Sequence, residues 1–573
     1  MRNEADQRDD RHELNRRTTH AIGSGGILRN RVEWEWFERS GAGLGDIDLP
    51  ERGFGSRDNE IAIRTSLTNQ LPRQIRQELR ISIDLNDTRQ RAAPEAVAVD
   101  VLGAFRSGGA QVNGSVNRRN IDAAAEWLFA ARGRHTLRTG LMLEQTRHRS
   151  SSVRNYLGTF VFAGLDAWSA GQPTTFTQRI GATNVAFTDA RAGIFVQDDI
   201  CLNQTLSLGL GVRQEFQPSI DDLVNLAPRL SLAWTTKART VLRFGFGAFH
   251  NWHDTSLIEE AERLEGNQGY ETVLRNPGYP DPISGGSSQA PLPPTRLINA
   301  DDLQVARVWR ASTTFERRFG RAVHLRSSIS RQVGRAEPRS RNINAPVNGV
   351  RPNPASGNVL LLGSTGRSQR MAAETNLTLN GLWRRRIFGH VNYSIGEVLN
   401  DADSALSLPA DNLYPHLEWG PSRQDVRHRG FAGISLRVPS SFSIGLSTRW
   451  QSAPPYNITT GADTNGDTVA NDRPASVSRN AARGRGFWTA DLHLGWNRAI
   501  AGGGGRDPRR GRPSSEAQGQ TAGRQVGFSV TARNVFNQPQ FGSFNGVITS
   551  PLFGRPVSAQ NPRRVDVGVS VGF

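Results

Sequence analysis

Residues 204–216 alternate between apolar and polar side chains. Leu206, Leu208, Leu210 and Val212 share one face, and Ser207, Gly209, Gly211, Arg213 and Glu215 share the other, because successive side chains of a strand point to opposite sides. The pattern returns at 239–250, with Leu242, Phe244, Phe246 and Ala248 against Arg243, Gly245 and Gly247. At 441–451, Phe442, Ile444, Leu446 and Trp450 oppose Ser443, Gly445, Ser447 and Arg449. At 486–497, Trp488, Ala490, Leu492, Leu494 and Trp496 oppose Thr489, Asp491, His493 and Gly495. The last ten residues put Val565, Val567, Val569, Val571 and Phe573 on one face and Arg564, Asp566, Gly568, Ser570 and Gly572 on the other. Weaker alternation predicts strands at 28–37, 59–68, 76–88, 96–105, 110–118, 121–131, 135–146, 190–200, 227–236, 304–318, 321–331, 370–384, 387–395, 428–438 and 524–533. The expected total is about 20.

The gaps between these strands alternate long and short. Pro439-Ser440, Arg385-Arg386, Phe319-Gly320, Lys237-Ala238, 201–203 and 132–134 are short; 147–189, 251–303, 332–369, 396–427, 452–485 and 534–562 are long. One break is 498–523, a Gly- and Arg-rich insert (Gly502 to Gly505, then Arg506, Arg509, Arg510 and Arg512) where a short turn is due. A β-sandwich has no reason to gather its long loops at one end. A transmembrane barrel does, with short periplasmic turns and long extracellular loops. The pattern therefore predicts an all-β fold, a large antiparallel transmembrane β-barrel of about 20–22 strands with long extracellular loops. It also places both termini on the periplasmic side. Trp34, Trp36, Trp127, Trp234, Trp383, Trp450, Trp488 and Trp496 lie near strand ends, as an interfacial girdle requires.

Composition agrees with this reading. Only 36% of the 573 residues are hydrophobic, the mean hydropathy is −0.49, and no run of 18 apolar residues offers a transmembrane helix. A barrel needs only alternate residues to be apolar. Its inner face here is Arg, Ser, Thr, Gly, Asp and Asn, which suits a watery lumen and not a dry core. The net charge of +17 comes from arginines spread along the whole chain, with Lys237 the single lysine. That spread points away from nucleic acid and first to an arginine-biased genome; the secondary reading is contact of the outer surface with lipopolysaccharide phosphates, which with outer-membrane lipid are the expected partners. The one cysteine, Cys201, excludes disulfides within the chain.

Several segments resemble a known family. Phe195-Val196-Gln197-Asp198-Asp199, followed by Leu206 to Arg213, is similar to a strand pair of TonB-dependent receptor barrels. Leu49-Pro50-Glu51-Arg52-Gly53-Phe54, Asp425-Val426-Arg427-His428-Arg429, Asn471-Asp472-Arg473-Pro474, Ala532 to Asn537 with Phe541-Gly542, and Ser550 to Arg555 resemble the Oar-like branch of that family. The resemblance implies an outer-membrane receptor and transporter for TonB-dependent uptake of a large nutrient, a saccharide, peptide or metal chelate. The family's signal peptide, carboxypeptidase-regulatory-like sandwich, TonB box and plug find no counterpart before residue 24. The expected division is therefore a disordered charged head, 1–23, and a barrel, 24–573. TonB would then be a partner only if a plug is supplied. The alternative is a structural, adhesive or passive-pore barrel without energy coupling.

No G-x-S-x-G, H-E-x-x-H, P-loop or strand-linked G-x-G-x-x-G is present, so no enzyme or nucleotide cofactor is expected. Asp463, Asn465 and Asp467 alternate like the first half of an EF-hand loop and are a calcium candidate. The closing Glu is missing and Gly466 is out of position, so a solvated Asn/Gly/Asp turn is the competing reading. Trp252, Tyr270, Tyr279, Tyr414 and Trp419 lie in the long loops and could stack on a ligand; the sequence does not single out a ligand site.

Overall fold

The computed structural model describes residues 8–572, apart from 24, 46, 93, 132, 237–238, 267, 284–292 and 500–524. The Lys237-Ala238 turn, the Gly502–Arg512 insert and Phe573 lie outside the described residues. One sheet of 21 strands dominates. Two of these strands, Arg296–Asn299 and Gly420–Pro421, are loop segments added to it.

The other nineteen make the wall. They are β1 (Asp9–Ile22), β2 (Gly26–Ala42), β3 (Phe54–Leu71), β4 (Ile75–Ala92), β5 (Gly114–Ala131), β6 (His135–Ser152), β7 (Asn184–Cys201), β8 (Leu206–Phe216), β9 (Asn225–Thr235) and β10 (Thr240–Asn251). Then follow β11 (Ala306–Phe319), β12 (Val323–Asn342), β13 (Val359–Gly381), β14 (Ile387–Asn400), β15 (His428–Val438), β16 (Phe442–Gln451), β17 (Phe487–Ala499), β18 (Gln525–Arg533) and β19 (Arg564–Gly572). Each pairs antiparallel with the next in chain order. Turns at 72–74, 320–322, 382–386 and 439–441 close one end, and the long loops close the other.

Three expectations change. The head is not structureless over its described part: β1 pairs with β2 from Asp9 to Ile22. This extra strand starts at the long-loop end, so the described N-terminus lies opposite the C-terminus and not beside it. The strands expected at 110–118 and 121–131 are one, β5, and the one at 96–105 leaves the wall for a sheet built from loops. One merger and one departure take 20 to 18, and β1 restores nineteen. Because that number is odd, β1 and β19 run the same way. Among the described residues no pairing joins them.

The sorting of side chains follows the alternation. Ile194, Leu210, Phe244, Leu446 and Val567 are exposed on one face, with Val567 as much as 73% accessible. A row this apolar and this open has hydrocarbon as its natural solvent. On the opposite face Arg243 pairs with Glu316 at 2.7 Å and Asp491 accepts the Asn534 N–H at 2.8 Å. That polar face lines the lumen, and its two halves differ. From β2 to β8 it carries charge ladders: Arg64 with Glu33 and Asp84, Arg138 with Glu126 at 3.2 Å, Arg213 with Glu215 at 2.6 Å. From β15 to β19 it carries small residues, among them Gly433, Gly445, Ser447, Gly495, Ser529 and Gly568.

Aromatic rings collect on the outer face near both ends. Phe442, Trp496 and Phe528 form a row of tilted rings by the turns, with centroids 6.4 and 5.8 Å apart, and Trp450 pairs with Trp488 by the loops.

The loops carry a core of their own. Ala98–Val101, Phe105–Gly108, Thr159–Phe162, Thr175–Gly181 and Gly269–Arg275 form a five-stranded sheet around Val99, Val101, Phe160, Phe162 and Phe176.

Candidate functional site

Between the loops and the inner wall lies a cavity of about 1100 Å³. One side is built by the segment that leaves β10. Asp254 caps the helix Thr255–Leu264 by accepting the Ser256 N–H at 2.9 Å. That bond holds the Asp254 carboxyl below its ordinary range. The helix turns inward and docks on β6. Glu259 accepts from Ser150 at 2.6 Å and from Arg263 at 2.7 Å, and meets His148 Nε2 at 2.9 Å. Burial pushes the Glu259 pKa upward, but the His148, Ser150 and Arg263 bonds outweigh it and hold the carboxyl at about 2. Arg263 also donates to Ser150 and to the Thr183 carbonyl. Leu257 and Leu264 seal the other side of the helix against Leu297 and Leu362. Trp252, just before the cap, lines the cavity and lies beneath the Arg191 guanidinium at 5.0 Å.

The opposite side is the 401–427 loop, whose acids are already engaged. Asp401 takes Arg367 at 3.3 Å and Arg339 at 3.5 Å. Asp403 takes Arg479 at 2.7 Å and the Arg423 N–H at 3.0 Å; burial opposes its ionisation, but these bonds keep it below the usual range. Behind them Glu418 binds Arg473 at 2.6 Å, and the fully buried Asp425 binds Arg483, Arg427 and the Val398 N–H. The cavity's arginines differ. Arg370, Arg423 and Arg429 are exposed to it and have no carboxylate within ion-pairing distance among the described residues. The site is thus a wet, polar chamber with one aromatic wall and three uncommitted cations.

The loop aromatics separate. Trp252 reaches the cavity. Tyr279 packs edge-on against Phe160 and Phe162 of the loop sheet, Tyr270 belongs to that sheet, Tyr414 is exposed against His416, and Trp419 lies under Arg367. The sequence reading missed the helix and the arginines of the chamber. Asp254 ahead of Leu257, Ile258, Ala261 and Leu264 is a helix signal that a search for period 2 passes over.

Asp463, Asn465 and Asp467 do come together in one turn, where their oxygens face their own backbone. Asp463 accepts the N–H groups of Gly466, Asp467 and Thr468 at 2.7, 3.0 and 2.9 Å. Asn465 accepts from Asp467, and Asp467 accepts from Val469 and Asn412. Burial, with Asp463 and Asp472 nearby, pushes Asp467 up to about 6. Among the described residues no group of three or more His, Cys, Asp or Glu is arranged to hold a metal.

The model of a family described as an outer membrane beta barrel domain matches residues 63–225 and 219–496. The chain belongs to the outer membrane beta barrel domain family. Its place is the cell outer membrane, and the apolar face of the wall is the side that meets lipid. Solved structures share the fold of this barrel. The outer membrane transporter YddB from Escherichia coli aligns with 99% of this chain and 69% of its own, at 12% identity and a TM-score of 0.65. The siderophore receptor PirA from Acinetobacter baumannii aligns with 99% and 71%, at 8% identity and 0.60. The ferric preacinetobactin receptor BauA from the same organism aligns with 99% and 73%, at 10% identity and 0.58. A search of curated proteins found no match.

Proposed function

We propose that this barrel is an outer-membrane receptor and transporter of the Oar-like branch, taking up a large nutrient (a saccharide, peptide or metal chelate) with energy from a TonB complex. The observation that carries the reading is the chamber of about 1100 Å³ beneath interlocked loops. It is large enough for an oligomeric ligand, and its lining is polar enough to bind one through hydrogen bonds. The β15–β19 side of the lumen sets Gly433, Gly445, Gly495 and Gly568 among polar side chains such as Arg449, Asp491 and His493, so a polar solute meets hydrogen-bonding groups along it. Fold similarity to proteins described as a transporter and as siderophore receptors supports the same reading. TonB dependence and the Oar-like branch rest on the sequence motifs.

The test is uptake by cells producing this protein, with and without a functional TonB complex. The probes are a labelled maltohexaose, a labelled hexapeptide and ferric citrate. Accumulation of one probe that requires TonB, and falls with Arg370→Gln/Arg429→Gln, is expected. Equal entry without TonB would make the barrel a passive pore. No entry of any probe would leave a structural or adhesive role.

A further inference from the structure

A second site lies along the lumen wall from the chamber. Cross-strand register places Gly211, Arg229, Gly247, Arg310, Gln332 and Arg370 on one row of the inner face, from β8 to β13. The arginines fall on alternate strands, so neighbouring ones start about 10 Å apart. Two of them converge. Phe249 stands on the same face of β10 as Gly247, and its ring centroid is 4.9 Å from the Arg229 guanidinium carbon and 5.1 Å from that of Arg310. The ring thus packs against both cations, one from each neighbouring strand.

Below them is a cavity of about 270 Å³ floored by Gly209, Gly211, Gly245 and Gly247 and flanked by Ser231 and Ser312. A Cβ at Gly247 would stand 3.0 Å from the Pro228 carbonyl and 3.3 Å from the Arg229 side chain.

The cations of this pocket are not neutralised. Among the described residues no carboxylate lies within ion-pairing distance of Arg229, Arg310 or Arg370, whereas Arg64, Arg138, Arg191 and Arg213 on the first half of the wall are all paired. Glu215 is taken by Arg213 at 2.6 Å, and Asp199 accepts from Gln197 at 3.1 Å. Arg310 reaches only a neutral partner, the Gln332 amide oxygen, at 3.4 Å. Both guanidiniums are exposed and line the same cavity, so water solvates them in the free protein and they remain open to an anion there. Each presents a planar fork of donors suited to two oxygens of one group.

We propose that Arg229 and Arg310, set by Phe249 over the glycine floor, bind an oxyanion, either a carboxylate or a phosphate borne by a small solute. Gln332 and Arg370 line the upper chamber as well as the row, so they connect this site to the mouth. The site goes beyond the uptake reading, since a barrel without energy coupling would still bind the anion.

The experiment is calorimetric titration of the detergent-solubilised protein with citrate and, separately, with inorganic phosphate. Saturable binding of at least one, weakened by added salt, is expected. Arg229→Gln/Arg310→Gln lowers that affinity about tenfold or more, as loss of a charge-assisted contact implies. Phe249→Leu keeps both charges but frees them, and lowers affinity less. Arg138→Gln, on the opposite wall, leaves it unchanged. Heat-modifiable gel migration shows that each variant is folded. Binding of citrate alone or of phosphate alone identifies the group and supports the site. Absence of saturable binding by either, or binding that survives Arg229→Gln/Arg310→Gln, overturns it. So does binding abolished by Arg423→Gln/Arg429→Gln but not by the deeper pair, because the anion would then sit at the mouth.

Discussion

Glu259→Gln tests whether the helix Thr255–Leu264 is held in the mouth by charge. The wild-type carboxyl sits at about 2 where an ordinary glutamate titrates near 4.5. A difference of that size corresponds to roughly 3 kcal/mol favouring the ionised, docked form. The lowered value fixes the sign. The contribution is complete above the unfolded pKa and disappears as pH falls through about 2. The amide removes it at every pH, and it leaves Arg263, only 4% exposed, without its carboxylate partner. Breaking a buried pair in this way costs about 3–5 kcal/mol, so the two routes agree in scale. Because the helix is one loop element, the loss should appear as local opening, not as collapse of the barrel. A change of about 3 kcal/mol raises the open population about a hundredfold. Hydrogen exchange of the protein in detergent at pH 7 reads this directly. Amides of Ile258–Leu264 should exchange about a hundredfold faster in the variant, and those of β16 at the wild-type rate. Unchanged protection of the helix would show that Leu257 and Leu264 hold it without help from Glu259, and would refute the reasoning.

Asp425→Ala should destabilise the loop cap by about 3–5 kcal/mol, since it strands Arg483, leaves Arg427 with Glu397 alone and frees the Val398 N–H; thermal unfolding in detergent would show this as an early transition. Leu446→Arg, on the apolar face, should cost about 2–4 kcal/mol in a bilayer if the residue lies near mid-depth, whereas its neighbour Ser447→Arg points into the lumen and should cost little; equal costs in urea unfolding from vesicles would reverse the assignment of faces. Asp467, raised to about 6, keeps its proton in the fold after an ordinary aspartate near 3.8 has lost it. The folded loop therefore binds the extra proton, and its stability falls as pH rises from about 4 to about 6; a pH series of loop protection should show this slope, and Asp467→Asn should flatten it. Added calcium is expected to leave that titration in place, because the nearby oxygens already serve backbone N–H groups; a clear downward shift would make the turn a calcium site.

The strands that meet lipid were legible because the bilayer enforces alternation. The sequence patterns at 204–216, 441–451 and 486–497 therefore fell within a residue or two of β8, β16 and β17. Where the wall leaves hydrocarbon the constraint lapses. β13 runs up to Val359, well above the 370 at which alternation begins, and β5 passes through Asn117-Arg118-Arg119-Asn120 without a break. β1 stayed hidden because the face that continues the apolar side of β2 reads Asp10, His12, Leu14, Arg16, Thr18, His20 and Ile22. Ala98–Val101 looked like a wall strand for the opposite reason: its valines are buried in the loop sheet. The chamber could not be foreseen at all. Its walls depend on pairs such as Asp425 with Arg483 and Asp403 with Arg479, which no local spacing announces. The row Arg229, Arg310 and Arg370 required the register of five strands before the three could be seen as neighbours.

The extracellular segments are tied to one another. Asn545 and Ser550 both donate to the Gly103 carbonyl, Arg275 donates to the Gly466 carbonyl, and Asn358 donates to Thr468. A protease that nicks one of them therefore releases no fragment, and the severed ends stay stitched to their neighbours. By the same token a solute that unfastens one segment tugs on several others, so the mouth of this barrel yields in concert or stays shut.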